Sequence, residues 1–359
     1  MFFNFLKKRK KECVFVGLSG GVDSSVAASL LQGEGYNVVG VFIRTWQPDW
    51  IPCSQNADRE SAMRVCAHLQ IPFLECDAEE IYKREIVDEM LAQYQLGNTP
   101  NPDILCNQHV KFGAFLDFAL RNGADRIATG HYARNIFNPS TSKYELYRGI
   151  DHKKDQSYFL SRITQDQLAR TLFPLGALQK SDVRQIAARR GLHTASRRDS
   201  QGICFLGEVD MREFLLHYFP KNPGKVINQV GDEIGRHDGA IFYTLGERHG
   251  FTITRKTDHD KPLYIVAKDV DQNILTVAPA VPQNHGRTKY RLVNVHRISD
   301  DRDVPDGLLA QTRYHGPKNS VALHKDIVQF DEPQLIASGQ FIVFYVGEQC
   351  IMSGIVAEI

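Results

Sequence analysis

At 359 residues, with 42% apolar and 24% charged side chains, the chain is long enough for two or three compact units of ordinary globular composition. A formal net charge of +1 excludes a global field that would gather a polyanion, so any nucleic acid must be held by local basic patches. No run of about 18 apolar residues occurs, which argues against a membrane span. The seven scattered cysteines lack a C-x-x-C pair and form neither a disulfide framework nor a zinc site.

In chain order, "MFFNFLKKRKKE" places its charges after a very short apolar stretch, the reverse of a secretory signal. Residues 1–12 are therefore set apart as a basic N-terminal extension, and the expected location is cytoplasmic. In a reducing cytoplasm a thiol that matters is catalytic or redox-active. Cys13, Cys66 and Cys76 lie in apolar patterns and read as buried packing. From 13 to about 135, strands and helices alternate. "CVFVGL", "NVVGVFIRT", "IPFLECD" and "RIATG" read as strands. "DSSVAASLLQGEG", "ADRESAMRVCAHLQ", "AEEIYKREIVDEMLAQYQ" and "HVKFGAFLDFALRNGA" read as helices. This is the pattern of an α/β, Rossmann-like parallel sheet covered on both faces. Residues 155–220 stay mostly helical, with Ser181 as the expected cap of "SDVRQIAARRGL". After "FPKNPGK" the texture turns to short alternating segments, predicting a small mainly-β connector and then a β-barrel. The expected domains are 13–220, 221–282 and 283–359, with "PAVPQNHG" marking the last boundary.

The first strand runs into "GLSGGVDSSVAASLL". Two glycines allow left-handed backbone and close approach, and backbone amides at a helix start make an anion-binding concavity. Ser19, Ser24 and Ser25 add hydroxyls. No Lys-Ser/Thr follows the glycines, so this is not a Walker A loop, and the dinucleotide G-x-G-x-x-G is absent. Ser19-Gly-Gly-Val-Asp-Ser24 instead matches the P-loop of ATP pyrophosphatases, which split ATP between the α- and β-phosphates and adenylate an oxygen. This motif does not choose among the ligases, amidotransferases and sulfurtransferases that carry it.

Four further segments narrow the choice. "GNTPNPDILCNQHVKFG" puts a Pro-Asn-Pro turn before Cys106 on the lead-in to a helix, where a thiolate is favoured. "ATGHYAR" ends a strand on the sheet edge that carries the P-loop. "HKKDQSYFL" groups Lys153, Lys154, Asp155 and Gln156, and "RRDSQGICFLGE" places Cys204 in a flexible basic loop. Each has a plain alternative: a simple turn, a satisfied edge histidine at His131, a solvated surface, a core cysteine.

Together these motifs resemble the MnmA family of tRNA-specific 2-thiouridylases, bacterial enzymes that make 2-thiouridine at the wobble position of certain tRNAs. "KFGAFLDFA", "GADRIATGHYAR", "YTLGERHG" and "FYVGEQCIMSGIV" extend the match over nearly the whole chain. The resemblance implies ATP and Mg2+ as cofactors, with Gly17, Leu18, Ser19, Gly20, Gly21, Val22, Asp23, Ser24, Ile43 and Gly130 forming the nucleotide site. Asp23 would orient Mg2+ or cap the helix; no residue is assigned as a metal ligand. Asn101, Pro102 and Asp103 would meet the flipped-out base, with Asp103 also moving a proton. Cys106 would be the nucleophile and Cys204 the persulfide carrier. Lys154, Asp155, Gln156, Arg313 and Tyr314 would contact the tRNA anticodon stem-loop. The implied partners are tRNA and a persulfide-donating sulfur carrier or cysteine desulfurase, with no membrane. "RYHG" and "GERHGFTI" depart from the family's usual Arg-Tyr-x-Gln and Gly-Gln-Arg-Lys-Gly runs.

Such chemistry requires two thiols 98 residues apart to reach disulfide distance. It also predicts a mobile Cys204 segment and basic faces around Lys153, Lys154, Arg189, Arg190, Arg197 and Arg198, and around Arg287, Lys289, Arg291 and Arg313. The alternative is another ATP-dependent ligase or amidotransferase with the same loop, which would leave Cys106 and Cys204 without work.

Overall fold

The computed structural model describes residues 11–51, 55–197, 204, 209–254, 261–279, 286–299 and 306–357. Residues 1–10 of the basic extension, Cys53, Arg198, the boundary near 282 and most of "SQGICFLGE" lie outside them, as does the expectation of a mobile Cys204 segment. The chain divides into two compact units. One comprises Met1–Glu80, His109–Ser157 and Gln165–Ser200; the other comprises Ile81–Gln108, Tyr158–Thr164 and Gln201–Ile359.

The first unit is built on a parallel sheet. The apolar run Cys13–Gly17 forms β1, followed by helix α1 (Val22–Gly33), β2 (Asn37–Arg44), helix α2 (Gln55–Leu69), β3 (Phe73–Asp77) and β4 (Arg126–Ala128). An antiparallel hairpin of β5 (Ala133–Asn138) and β6 (Lys143–Arg148) comes next, then the short β7 (Thr171–Leu172). The sheet order is β3-β2-β1-β4-β7. The chain leaves β1 toward β2 and later returns to its other side as β4, so the order reverses at β1. Open α/β sheets bind ligands outside the strand carboxyl ends at such a point, and here that is where "LSGG" begins. α1 buries Val22, Val26, Ala27, Ala28 and Leu31 in a core that also takes in Val14 and Val16 of β1. Val183 and Ala187 close the same core from the helix Lys180–Arg189.

That helix starts one residue before the expected Ser181 cap. Gln179 caps it, with its side chain accepting from the Asp182 amide while Asp182 Oδ2 accepts from Gln179 N (3.3 Å). The reciprocal pair satisfies two amide groups, where a serine would satisfy one. The long helical patterns from 79 and 102 also contain π-helical turns, Lys83–Asp88 and Asn107–Ala114, which period-3.6 reasoning does not anticipate.

The second unit holds two β-layers. The smaller sheet has β8 (Gly224–Ile227), β9 (Glu233–His237), β10 (Thr252–Ile253), β11 (Tyr264–Asp269) and β12 (Ile274–Ala278) in the order β10-β9-β8-β12-β11. The larger layer comprises β13 (Arg287–Arg297), β14 (Leu308–Gln311), β15 (Lys318–His324), β16 (Ile327–Gln334), β17 (Phe341–Val346) and β18 (Gln349–Val356). These six strands pair antiparallel as β13-β16-β15-β14-β17-β18, and β13 pairs again with β18, which closes a barrel without free edges. Tyr290, Leu292, Ala310, Val328, Phe344 and Met352 are among its fillers. Among the described residues no helix is long and apolar enough to cross a membrane.

Candidate active site

In the first unit, the loop after β1 is stitched by its own serines. Ser24 Oγ accepts from the Ser19 amide (3.2 Å) and donates to Gly21 O (3.3 Å), while Ser25 Oγ donates to Gly21 O (2.6 Å). Gly20 takes φ +72°, the left-handed region. A Cβ there would also lie 2.5 Å from Asp58 O. The Gly20 carbonyl accepts from Ser61 Oγ (2.9 Å) and Arg197 Nη1 (2.8 Å), and Arg197 in turn pairs with Asp58. Ser61 also bonds His193 Nε2 (2.9 Å). The turn is thus held from behind by α2 and by residues 193–197.

Asp23 does not cap α1; the cap position is Gly21, without a side-chain bond. Both Asp23 oxygens accept from Lys180 Nζ (2.7 Å each), and Oδ1 also accepts from Tyr132 Oη (2.8 Å). Gly130, after β4, presses against the first turn of α1: a Cβ on it would lie 2.7 Å from Ser24 N and 2.8 Å from Asp23 C. Ile43, at the end of β2, is buried. A Cβ on Gly17 would lie 3.7 Å from it, in ordinary contact. Leu18 and Val22 are core residues.

His131 bears out the plain alternative. It is buried, Thr129 Oγ1 lies 2.8 Å from Nδ1, and burial, with help from Lys111, pushes its pKa well below the usual histidine value. Asp155 is only 5% exposed, and its carboxylate accepts from Arg148 (2.7 Å), the Gly149 amide (3.0 Å), the Ser157 amide (3.2 Å) and the Ser157 hydroxyl (3.1 Å). Gln156 is tied twice to Tyr132: Oε1 accepts from its amide (3.1 Å), and the Gln156 amide donates to its carbonyl (3.0 Å). Lys154 is half-buried on the same turn. Two members of the expected basic face are engaged within the fold, Arg197 as above and Arg190 through Ser29.

In the second unit, Asn101, Pro102 and Asp103 are not a free turn but the start of a helix, Pro102–Cys106. Asn101 is the N-cap, its side-chain oxygen accepting from Ile104 N (3.1 Å), and proline occupies the first helical position, where its missing N–H costs nothing. Cys106 closes this opening segment, which runs straight on into the π-helical turn Asn107–Ala114, and is 0% exposed. The group beside it is the other cysteine. Cys106 Sγ lies 3.3 Å from Cys204 Sγ across 98 positions of sequence. The backbone of Cys204 is gripped at both ends, its N–H donating to Asp103 Oδ1 (2.9 Å) and its carbonyl accepting from Tyr82 Oη (2.7 Å). At Cys66 and Cys76, burial pushes the thiols up to about 12 and about 11, so both are inert packing groups.

On the barrel, Tyr314 stacks on His315 (centroids 3.9 Å) and lies against Phe159 (4.4 Å), forming a run of rings next to the exposed Arg313. Sequence reasoning passed over Ser61, Tyr82, Tyr132, Lys180 and His193. Lys180 had a local signal, a lysine opening a helix close to the flagged motifs; Ser61 and Tyr82 sit in ordinary helical patterns.

Three family models cover the chain: a tRNA methyl transferase HUP domain over residues 12–208, a tRNA methyl transferase PRC-barrel domain over 212–279, and an aminomethyltransferase beta-barrel domain over 287–356. A tRNA-specific 2-thiouridylase MnmA of Geobacillus thermodenitrificans is 42% identical over 96% of this chain and 95% of its own length. The chain belongs to the MnmA family. Other MnmA relatives are 43% identical in Geobacillus kaustophilus, over 96% and 95% of the two chains, and 41% in Streptococcus pyogenes with the same coverage. Among solved structures, a 4-thiouridine synthetase–RNA complex with bound ATP is 16% identical over 55% of this chain and 46% of that one. Its TM-score is 0.34, too slight a likeness to bear on function.

Proposed function

We propose that this MnmA-family protein is a tRNA-uridine 2-sulfurtransferase that uses ATP to replace the C2 oxygen of the wobble uridine with sulfur. The observation that carries the reading is the 3.3 Å approach of Cys106 and Cys204. Two thiols so placed are one short step from a disulfide, the product expected when one cysteine delivers sulfane sulfur and the other takes up the bond left behind.

Uracil C2=O has a very poor leaving group. Attack of that oxygen on the α-phosphorus of ATP converts it to an adenylate and releases pyrophosphate, which the amides after β1 stabilise as charge develops. A persulfide on Cys204 then supplies sulfur. Either its outer sulfur attacks C2, or Cys106 attacks the persulfide and frees a hydrosulfide that does so. Both routes expel AMP, leave sulfur on C2 and end with a Cys106–Cys204 disulfide that a thiol donor must reduce. Extruding the base costs a few kcal/mol, least in a single-stranded anticodon loop. The Asn101 oxygen is engaged in capping, so its contact with the base runs through the amide NH2 group. Asp103, bonded to the Cys204 backbone, is placed to move a proton in the sulfur step. Asp155 holds the turn that carries Lys154 rather than meeting RNA itself, and the Tyr314 ring run with Arg313 offers stacking and phosphate contact.

Mg2+ would accompany ATP and would offset phosphate charge as pyrophosphate departs. The cradle's carboxylate, Asp23, is held by Lys180 and Tyr132, and no cluster of three ligating side chains occurs among the described residues. Lys180 thereby brings a cation to the first turn of the helix that follows the anion-binding turn. Lys180→Met is expected to weaken ATP binding about fivefold, as for loss of a half-buried ion pair worth about 1 kcal/mol. Calorimetric titration of ATP measures it, and an unchanged Kd would remove Lys180 from the site.

The reading as a whole is tested by incubating the protein with ATP, Mg2+, a persulfide donor and an anticodon transcript carrying uridine at the wobble position. Nucleoside mass analysis should show 2-thiouridine, with AMP and pyrophosphate formed only when RNA is present. Absence of both would overturn it.

A further inference from the structure

We propose that Tyr82 is a positioning residue that, together with Asp103, clamps the backbone of Cys204 so that its sulfur is presented to Cys106. The proposal rests on the reading of Cys106 and Cys204 as the sulfur-handling pair, but its own test does not require sulfur transfer.

A side chain is aimed most firmly when both polar groups of its own residue are fixed. Cys204 meets that condition: Asp103 Oδ1 accepts its N–H at 2.9 Å and Tyr82 Oη donates to its carbonyl at 2.7 Å. The two anchors come from the two segments that surround Cys106. Asp103 lies one turn before it on the same helix, and Tyr82 ends the short helix Glu79–Tyr82. Tyr82 is fully buried, so its hydroxyl does not trade the Cys204 carbonyl for bulk water at no cost. Burial, reinforced by Cys106, Cys204 and Asp103, raises its pKa well above the usual tyrosine value. The phenol therefore stays protonated and remains a donor at every pH at which the protein works. It is also too weak an acid there to serve as the proton source for the chemistry, which leaves geometry as its contribution.

With the backbone held, the sulfurs stand 3.3 Å apart and a bond of about 2.05 Å needs little further movement. Removing one anchor lets Cys204 swing away and lowers the effective concentration of one thiol at the other. The sensitive quantity is thus the equilibrium Cys106–SH + Cys204–SH + oxidised glutathione ⇌ Cys106–S–S–Cys204 + two reduced glutathione. Two electrons and two protons pass to glutathione, and the effective concentration appears directly in the constant.

The experiment equilibrates the full-length protein in glutathione buffers, traps thiols by alkylation and counts the oxidised pair by mass. Tyr82→Phe should lower the oxidation constant about three- to tenfold, the weight of one hydrogen bond. Asp103→Ala should lower it similarly, and Asp103→Asn, which keeps an acceptor oxygen, should restore the wild-type value. A role in packing alone would lower the melting temperature of Tyr82→Phe and leave the constant unmoved, and that result would overturn the proposal. If Tyr82→Phe does not fold, the Asp103→Ala and Asp103→Asn pair decides it from the amide side: equal constants would sink the clamp. Failure of the wild type to make 2-thiouridine would instead count against the function and leave these constants as valid measurements of the clamp.

Discussion

Cys204→Ser is expected to reduce 2-thiouridine formation by about three orders of magnitude or more, because a hydroxyl cannot hold sulfane sulfur and nothing else in the mechanism replaces it. RNA-dependent release of pyrophosphate should persist, since it precedes the sulfur step. Cys106→Ser should lose turnover equally, and it separates the two routes left open above. If the persulfide attacks C2 directly, loss of Cys106 strands the base on Cys204 through a disulfide, and a covalent protein–RNA adduct accumulates after AMP has left. If Cys106 must first free a hydrosulfide, no adduct forms and adenylated RNA is the last species. Denaturing gel analysis with labelled transcript reads the difference. Full thiolation by the double Cys→Ser variant would end the sulfurtransferase reading.

The second large effect is predicted for a methyl group. Gly130→Ala places a Cβ 2.7 Å from Ser24 N and 2.8 Å from Asp23 C, and backbone on both sides cannot yield as a flexible side chain would. The first turn of α1 must shift, carrying the Asp23 carboxylate away from Lys180 and Tyr132 and re-aiming the amides that receive phosphate. Overpacking of this kind costs about 1–3 kcal/mol. An increase in KM for ATP of roughly tenfold to a hundredfold is expected, with glutathione equilibria of the two cysteines unchanged. The comparison uses one protein and two assays, and an unaltered KM would show that β4 does not shape the nucleotide site.

The features legible in the sequence are those written contiguously. The apolar strand, the glycine turn and the helix after it are one stretch of chain, and hydrophobic period alone places the parallel sheet and the later β-rich region. The alternation of strands with long helices gives the sheet, although the hairpin β5–β6 escapes because "ARNIFN" and "KYELYR" are half-polar and short. The expected cap by Asp23 gives way to Gly21, and its carboxylate pairs with Lys180 from 157 positions away, which nothing in "GVDSS" records. The same holds for Ser61 and Arg197 on the Gly20 carbonyl. The motifs around Cys106 and Cys204 lead to the expectation that the two thiols meet, yet the residues that hold the Cys204 backbone were not legible. The bonds from Tyr82 and Asp103 to the Cys204 backbone come from residues whose local patterns are those of ordinary helices. Contacts that close over a hundred residues leave no mark on either partner's neighbourhood.

The interleaving of the two units also bears on how the protein is made. The segment Ile81–Gln108 belongs with residues that follow position 200, while His109–Ser157 adds β4 to the earlier sheet. At about 5–20 residues per second, Cys106 leaves the ribosome some 5–20 s before Cys204 does. For that interval the nascent chain carries the Cys106 thiol while Cys204 has not been synthesised, and stalled translation between them would leave it open to mispairing or oxidation.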